Sequence, residues 1–297
     1  MQIVGFHDYA PQGRRLATAL NTEYTEVTVH YFPDGESKVT LPPLTSSHLV
    51  FIRTLDRPND KLIELMLAAR TARRLGVARI SLVAPYLCYM RQDSAFEDGE
   101  AVSQTIVGEF LAAYFDDIVT VDPHLHRIDR LDQAVPDCHS LTLTATDLLG
   151  AYLEAREDDL FLLGPDAESE QWVERMARNH KLPHAIAHKD RFSDHEVTVT
   201  LPEQNWAERT VVLVDDVAST GRTLVQAAEA VRARGAARVE AVVVHPLLAG
   251  DAEAALKRAG VSALFSSDSI THGSNVVRLA EILADGVREL GAPPPPG

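Results

Sequence analysis

The residues best suited to chemistry lie at 211–223, VVLVDDVASTGRT. A branched apolar run ends in two adjacent carboxylates, Asp215 and Asp216. Small hydroxyl residues and a glycine follow, and then a helix-like stretch that stops at Gly235. Such an apolar run suits a strand buried on both faces. Ligands of open α/β sheets bind at the carboxyl ends of strands. There Ser219, Thr220, Gly221 and Thr223 can offer N–H and hydroxyl groups to a phosphate at a helix N-terminus, and Gly221 lets the backbone come close. Asp215 and Asp216 then stand one sugar's width away, where they can accept hydrogen bonds from vicinal hydroxyls. The motif predicts a cradle for ribose 5-phosphate. Read only as a polar loop, it leaves Asp216 as a turn residue.

Five further segments carry polar groups in suggestive company. FPDGES contains Phe32, Asp34 and Glu36; PYLCYMRQD contains Arg91 and Gln92; DPHLH contains His124; GPD contains Asp166; KDR contains Lys189 and Arg191. Each has a plain alternative when taken alone. Phe32 can be a core anchor beside a Pro-Asp-Gly turn. A lone histidine such as His124 can simply cap a strand, and Arg91 can be a surface charge. Lys189 and Arg191 alternate along an extended segment, so both can face one way.

Taken together and in this order, these segments resemble the ribose-phosphate pyrophosphokinases of the type I phosphoribosyltransferase superfamily. The resemblance runs from about residue 2 to 288 without a long insertion and includes DRPNDKLIELMLAARTARRLG, HPLLAG and SSDSI. It implies that Phe32 stacks on the adenine of ATP, with Asp34 and Glu36 near the exocyclic amine. It implies that Arg91 and Gln92 contact ATP, and that His124 helps to place Mg²⁺ and ATP. Asp166 then serves the ribose and metal side, while Lys189 and Arg191 close over the reacting phosphates. Mg²⁺ is the implied cofactor, and ATP and ribose 5-phosphate are the implied partners. In the family the adenine segment reaches a neighbouring subunit's site, so a homo-oligomer is implied. Two departures stand out. The run after RQD, 94–104, holds Glu97, Asp98 and Glu100 and no Lys or Arg. The run after GPD is AESEQW, with Glu168 and Glu170 where the family has a small, Gly-rich cradle. A catalytically weak regulatory homologue and a phosphoribosyltransferase are the alternatives.

The elements that must position these groups alternate between strand and helix. Short apolar runs at 80–84, 118–121, 160–163, 211–214 and 239–244 read as strands. A helix is expected from Asn59 with a stripe of Leu62, Leu65, Met66, Ala69 and Leu75, ending at Gly76. The alternation predicts parallel sheets with helices on both faces. Arg73, Gly76, Ala78, Arg79 and Ile80 recur as Arg232, Gly235, Ala237, Arg238 and Val239, a weak internal repeat. The expectation is an α/β chain of two similar phosphoribosyltransferase-like domains, with the site between them. Residues 1–142 form the ATP side and 143–290 the ribose 5-phosphate side. Ser274 is expected to cap a last helix through Leu290, and 291–297, GAPPPPG, to form a disordered tail.

Composition sets the outer limits. At 297 residues the chain is long enough for two domains. Its net charge of −15, from 28 basic and 43 acidic residues, argues against nucleic-acid binding. Two distant cysteines, Cys88 and Cys138, suggest a reducing compartment and no disulfide framework. No basic cluster with an apolar stretch opens the chain, and no run reaches the ~20 apolar residues of a membrane helix. A cytoplasmic protein with no membrane partner is expected.

Overall fold

The computed structural model describes the backbone of residues 1–156, 159–191 and 197–291, and the side chains of all these except 189–191, 197–199 and 291. The chain is α/β and carries two six-stranded sheets. The first is built from β1 (Gln2–Gly5), β2 (Tyr24–Glu26), β5 (His48–Ile52), β6 (Arg79–Ala84), β7 (Asp117–Val121) and β8 (His139–Leu143), in the order β2-β1-β5-β6-β7-β8. A hairpin of β3 (Thr28–Tyr31) and β4 (Ser37–Thr40) precedes β5. The second sheet uses β9 (Leu160–Gly164), β10 (His184–Ile186), β13 (Thr210–Val217), β14 (Arg238–His245), β15 (Val261–Ser267) and β16 (Asn275–Val277), in the order β10-β9-β13-β14-β15-β16. Its hairpin is β11 (His188–Arg191) with β12 (Val197–Thr200). Both large sheets are parallel throughout. The two units therefore repeat strand by strand, and the weak sequence repeat marks a complete architectural one.

Helices cover both faces of each sheet, which is why β7 and β9 are buried at every residue. In the first unit α2 (Pro58–Arg74) and α3 (Ser103–Ala112) enclose one core with Leu49, Phe51, Ile80 and Leu82. In the second, α6 (Arg222–Ala233) and α7 (Ala252–Arg258) do the same over Val211, Leu213, Val239 and Ala241. Gly76 and Gly235 end α2 and α6 with φ of 90° and 89°, the left-handed turn that stops a helix. Arg79 and Arg238, at matching places, each enter an ion pair with a buried acid. Arg79 meets Asp117 at 2.7 Å, and Arg238 meets Glu240 at 2.7 Å.

Backbone contacts group Met1–Leu143 with the segment from Leu279 onward, and Thr144–Arg278 by themselves. The last helix, α8 (Ala280–Gly291), was expected to close the second domain within 143–290. It packs instead on β7, β8 and α1 (Ala10–Ala19) of the first unit. Arg79 Nη2 donates to Leu290 O at 2.7 Å, and Arg288 Nη2 donates to Ala19 O at 2.6 Å. In return α4 (Thr146–Glu154), which follows the strands of the first unit, packs on α5 (Glu170–His180), β14 and β16 of the second. Each unit thus takes the helix that follows the other's last strand.

Three helix details differ from the sequence expectation. Pro58, not Asn59, opens α2, because Arg57 turns the chain with φ of 50° and proline suits the first helical position. Leu75 lies past the helix end and is 64% exposed, since the glycine turn carries it off the core stripe. Ser274 caps no helix; it belongs to a turn with His272 before β16. No helix among the described residues is long and apolar enough to cross a membrane. The expected disordered tail, 291–297, falls outside the described residues but for the backbone of Gly291, the last residue of α8.

Candidate active site

In the second unit, pairing of β9 with β13 sets Leu163 beside Leu213. β9 ends at Gly164 while β13 runs on to Val217, and Asp166, just past the end of β9, is near enough for its charge to act on Asp215. Asp216 is 3% exposed, and its backbone N–H donates to Asp215 Oδ1 at 3.0 Å. Burial first, then the charges of Asp216 and Asp166, hold the Asp215 carboxyl well above the usual range. Asp166 Oδ1 accepts the Glu168 N–H at 3.2 Å and starts a short turn, 167–169, that leads into α5. Glu168 and Glu170 are exposed in the opening turns of these helical segments. Acids are favourable there, opposite the positive helix end. The AESEQW run thus builds a helix start where a Gly-rich cradle was the family expectation.

The loop after β13 is braced from behind. Leu248 N–H donates to Ala218 O at 2.8 Å, and Ala249 N–H donates to Ser219 O at 2.9 Å. Gly221, with φ of 72°, turns into α6 without a side-chain cap. The first N–H groups of a helix have no intrahelical partner and suit an anion. Ser219, Thr220 and Thr223 stand at this end, partly or fully exposed. All the residues assigned to the sugar phosphate are therefore brought together in one unit. Lys189 and Arg191 lie on β11, opposite Val199 and Val197. Their side chains fall outside the described residues.

In the first unit the candidates form two groups. Phe32, Asp34 and Glu36 make the tip of the β3–β4 hairpin. Gly35 N–H donates to Phe32 O at 3.0 Å, and Asp34 Oδ1 accepts the Glu36 N–H at 3.1 Å. Phe32 is 41% exposed and meets His30 edge to face at 5.0 Å, so it is no core anchor. Arg91, Gln92 and His124 lie in the loops that follow β6 and β7. Asp93 fastens these loops together, accepting from Arg127 Nε at 3.3 Å with His126 Nδ1 at 3.7 Å. His124 and His126 stack at 6.5 Å. The sequence did not single out Arg127 and His126. Nothing in their spacing shows that they meet Asp93, 34 residues away from Arg127. In the acidic 94–104 run, Glu100 Oε2 accepts the Phe96 N–H at 2.7 Å, so one of its acids shapes its own loop.

A metal can be tested against these groups. Among the described residues no three His, Cys, Asp or Glu side chains form a ready metal cage. His124 and Asp166 belong to different units. The charges of Asp166 and Asp216 act on Asp215, and carboxylate oxygens are the donors that a hard cation would take.

An Asp-Asp pair at a strand end, followed by an uncapped helix in a repeated parallel α/β unit, is the arrangement of a phosphoribosyltransferase-type protein. The family model described as the N-terminal domain of ribose phosphate pyrophosphokinase matches residues 1–114, and that of the phosphoribosyl transferase domain matches 140–281. A ribose-phosphate pyrophosphokinase of Methanopyrus kandleri is 34% identical over 94% of this chain and 95% of its own. One from Halobacterium salinarum is 34% identical over 92% of this chain and 95% of its own. The crystal structure of phosphoribosylpyrophosphate synthetase from Mycobacterium smegmatis shares the fold at a TM-score of 0.80, with 23% identity and 98% of each chain covered. The chain belongs to the ribose-phosphate pyrophosphokinase family.

Proposed function

We propose that the protein transfers the pyrophosphoryl group of ATP to the 1-hydroxyl of ribose 5-phosphate, giving phosphoribosyl pyrophosphate and AMP. The observation that carries this reading is the Asp215–Asp216 pair beside the uncapped N-terminus of α6. The helix end, with Ser219, Thr220, Gly221 and Thr223, receives the 5-phosphate. The two carboxylates accept hydrogen bonds from the ribose hydroxyls and fix the anomeric oxygen. On the nucleotide side Phe32 stacks on the base, Asp34 and Glu36 meet its amine, and Arg91, Gln92 and His124 hold the phosphates. The anomeric oxygen attacks the β-phosphorus, the bond to the α-phosphate oxygen breaks, and AMP leaves. Such transfer depends chiefly on positioning and charge stabilisation. Lys189 and Arg191 neutralise the charge that builds on the transferred group.

Mg²⁺, held by Asp166 and on the ATP side by His124, would screen the phosphates and polarise the phosphorus under attack. Because the adenine hairpin of the family serves a neighbouring subunit, the active form is a homo-oligomer. Pure protein incubated with ribose 5-phosphate, ATP and Mg²⁺ is expected to release AMP and phosphoribosyl pyrophosphate in equal amounts. Lys189→Ala and Arg191→Ala are each expected to lower turnover by ~10²–10³ with little change in affinity, as for groups that act in the transition state. Equal AMP release by wild type and both variants would reject the reading in favour of a silent homologue.

A further inference from the structure

Two segments of the resemblance, HPLLAG at 245–250 and SSDSI at 266–270, have no part in the reading above. They close β14 and β15 in the second unit. His245, the last residue of β14, pairs with Val217 of β13, one residue before the loop 218–221. His245 is 1% exposed, and its Nδ1 lies 2.9 Å from Oγ of the fully buried Ser269. The Ser269 hydroxyl donates to Val244 O at 2.9 Å. A hydroxyl has one proton to give, so Ser269 accepts from His245, whose Nδ1 therefore carries a proton. Ser267 Oγ donates to the same Val244 O at 2.7 Å and accepts the Ser269 N–H at 3.2 Å. Asn275 Nδ2 holds the turn behind them, donating to Ser267 O at 2.6 Å and to Ile270 O at 3.1 Å.

The brace reaches the 218–221 loop through the backbone. His245 O accepts the Ala218 N–H at 3.1 Å and the Leu247 N–H at 3.1 Å. Leu248 N–H and Ala249 N–H donate in turn to Ala218 O and Ser219 O. Leu248 makes its bond with φ of 46°, a left-handed conformation that leucine rarely adopts. Such strain persists only where the surroundings over-determine it, and it gathers at functional sites. The loop has little else to stiffen it, since its residues are small and Gly221 starts α6 without a side-chain cap. Backbone N–H groups receive an anion well only when they are aimed beforehand.

We propose that His245 and Ser269 are positioning residues: their hydrogen bond fixes the end of β14, and through it holds the 218–221 loop in the shape that receives the 5-phosphate. This rests on the reading above that the loop binds ribose 5-phosphate. Ser269→Ala removes the acceptor for His245 and leaves Val244 O with the Ser267 hydroxyl, which makes it the mildest variant. Hydrogen exchange of the amides at 217–221 and 246–250 is measured by mass spectrometry on the full-length protein. Calorimetric binding of ribose 5-phosphate and steady-state kinetics are measured on the same preparation. Exchange in both stretches is expected to quicken by roughly tenfold, as loss of one buried hydrogen bond allows, with β9 unchanged. Affinity for ribose 5-phosphate is expected to fall by about the same factor, while the Michaelis constant for ATP stays near wild type. His245→Leu is expected to repeat this pattern, and His245→Asn, whose carboxamide N–H can still reach Ser269, to recover most of the loss. Unchanged exchange overturns the brace, whatever the kinetics. Faster exchange with unchanged affinity for ribose 5-phosphate overturns the positioning role, as does an equal loss on the ATP side. His245→Asn no better than His245→Leu overturns the hydrogen bond as the cause. A wild-type protein that neither binds ribose 5-phosphate nor forms AMP strikes the functional reading instead, and the exchange result then judges the brace by itself.

Discussion

Asp215 shows how a single residue can oppose the fold in order to serve a site. Its carboxyl is held well above the ordinary range by burial, Asp216 and Asp166. The folded chain therefore binds that proton more tightly than the unfolded chain does. Stability contributed by this group is full below the unfolded carboxylate value and is lost as pH rises through the raised one. At neutral pH and without ligand, Asp215→Asn is expected to raise Tm, and the gap to wild type is expected to close as pH falls into the carboxylate range. Thermal scans across pH check this; a variant less stable at neutral pH contradicts it. The same change is expected to raise the Michaelis constant for ribose 5-phosphate strongly, because an amide accepts fewer sugar hydroxyl bonds. Stability and activity then move in opposite directions, as at other strained sites.

At the scale of elements, the helix start at Gly221 carries the phosphate-binding expectation. Gly221 has φ of 72°, and a Cβ built there would meet only ordinary contacts, Ala252 Cβ and Leu256 Cγ at 3.6 Å. The cost of Gly221→Ala is thus backbone strain, about 1–2 kcal/mol, and not a clash. Chemical denaturation is expected to show that loss, with affinity for ribose 5-phosphate falling in the same variant. Unaltered stability would mean that the turn relaxes freely. This element was legible before the structure, since Asp-Asp, small hydroxyls and glycine in that order leave few other uses. The hairpins were not legible. TVHY and SKVT are short and mostly exposed, and they lack the continuous apolar run that marked β6 or β14.

At the scale of the molecule, each unit is completed by a helix that follows the last strand of the other in sequence. Leu279, Leu283, Ala284, Val287 and Leu290 are buried to 3% exposure or less, in the unit that holds the N-terminus. Burying a large apolar side chain is worth about 1.5–3 kcal/mol, so α8 contributes a large part of the margin that keeps the first unit folded. A chain ending at residue 278 is expected to lose protection from hydrogen exchange in β7 and β8, with β13 and β14 losing less. Equal loss in both units would show that they unfold as one. Assembly is open to test at this scale as well. If the site is shared between subunits, mixing Phe32→Ala with Lys189→Ala protein is expected to restore part of the activity of wild type. No recovery after subunit exchange would place each site within one chain.

By itself the sequence determined what depends on local chemistry and on strand-scale hydrophobicity: the alternation of strand and helix, the buried central strands, and the Asp215–Asp216 pair with the hydroxyl-rich loop that follows. It also carried a faint trace of duplication through glycine caps and the Ala-Arg steps. Tertiary structure alone decided where α8 packs, because its apolar stripe would suit the flank of either sheet; it lies on α1, β7 and β8, with Arg79 and Arg288 bonded across that contact. It alone joined Asp93 to Arg127, since a pair more than thirty residues apart leaves no periodic mark on a single sequence. It also set Glu168 in the short turn that leads into α5 and Glu170 in the first turn of α5, where the field of a helix start favours acids.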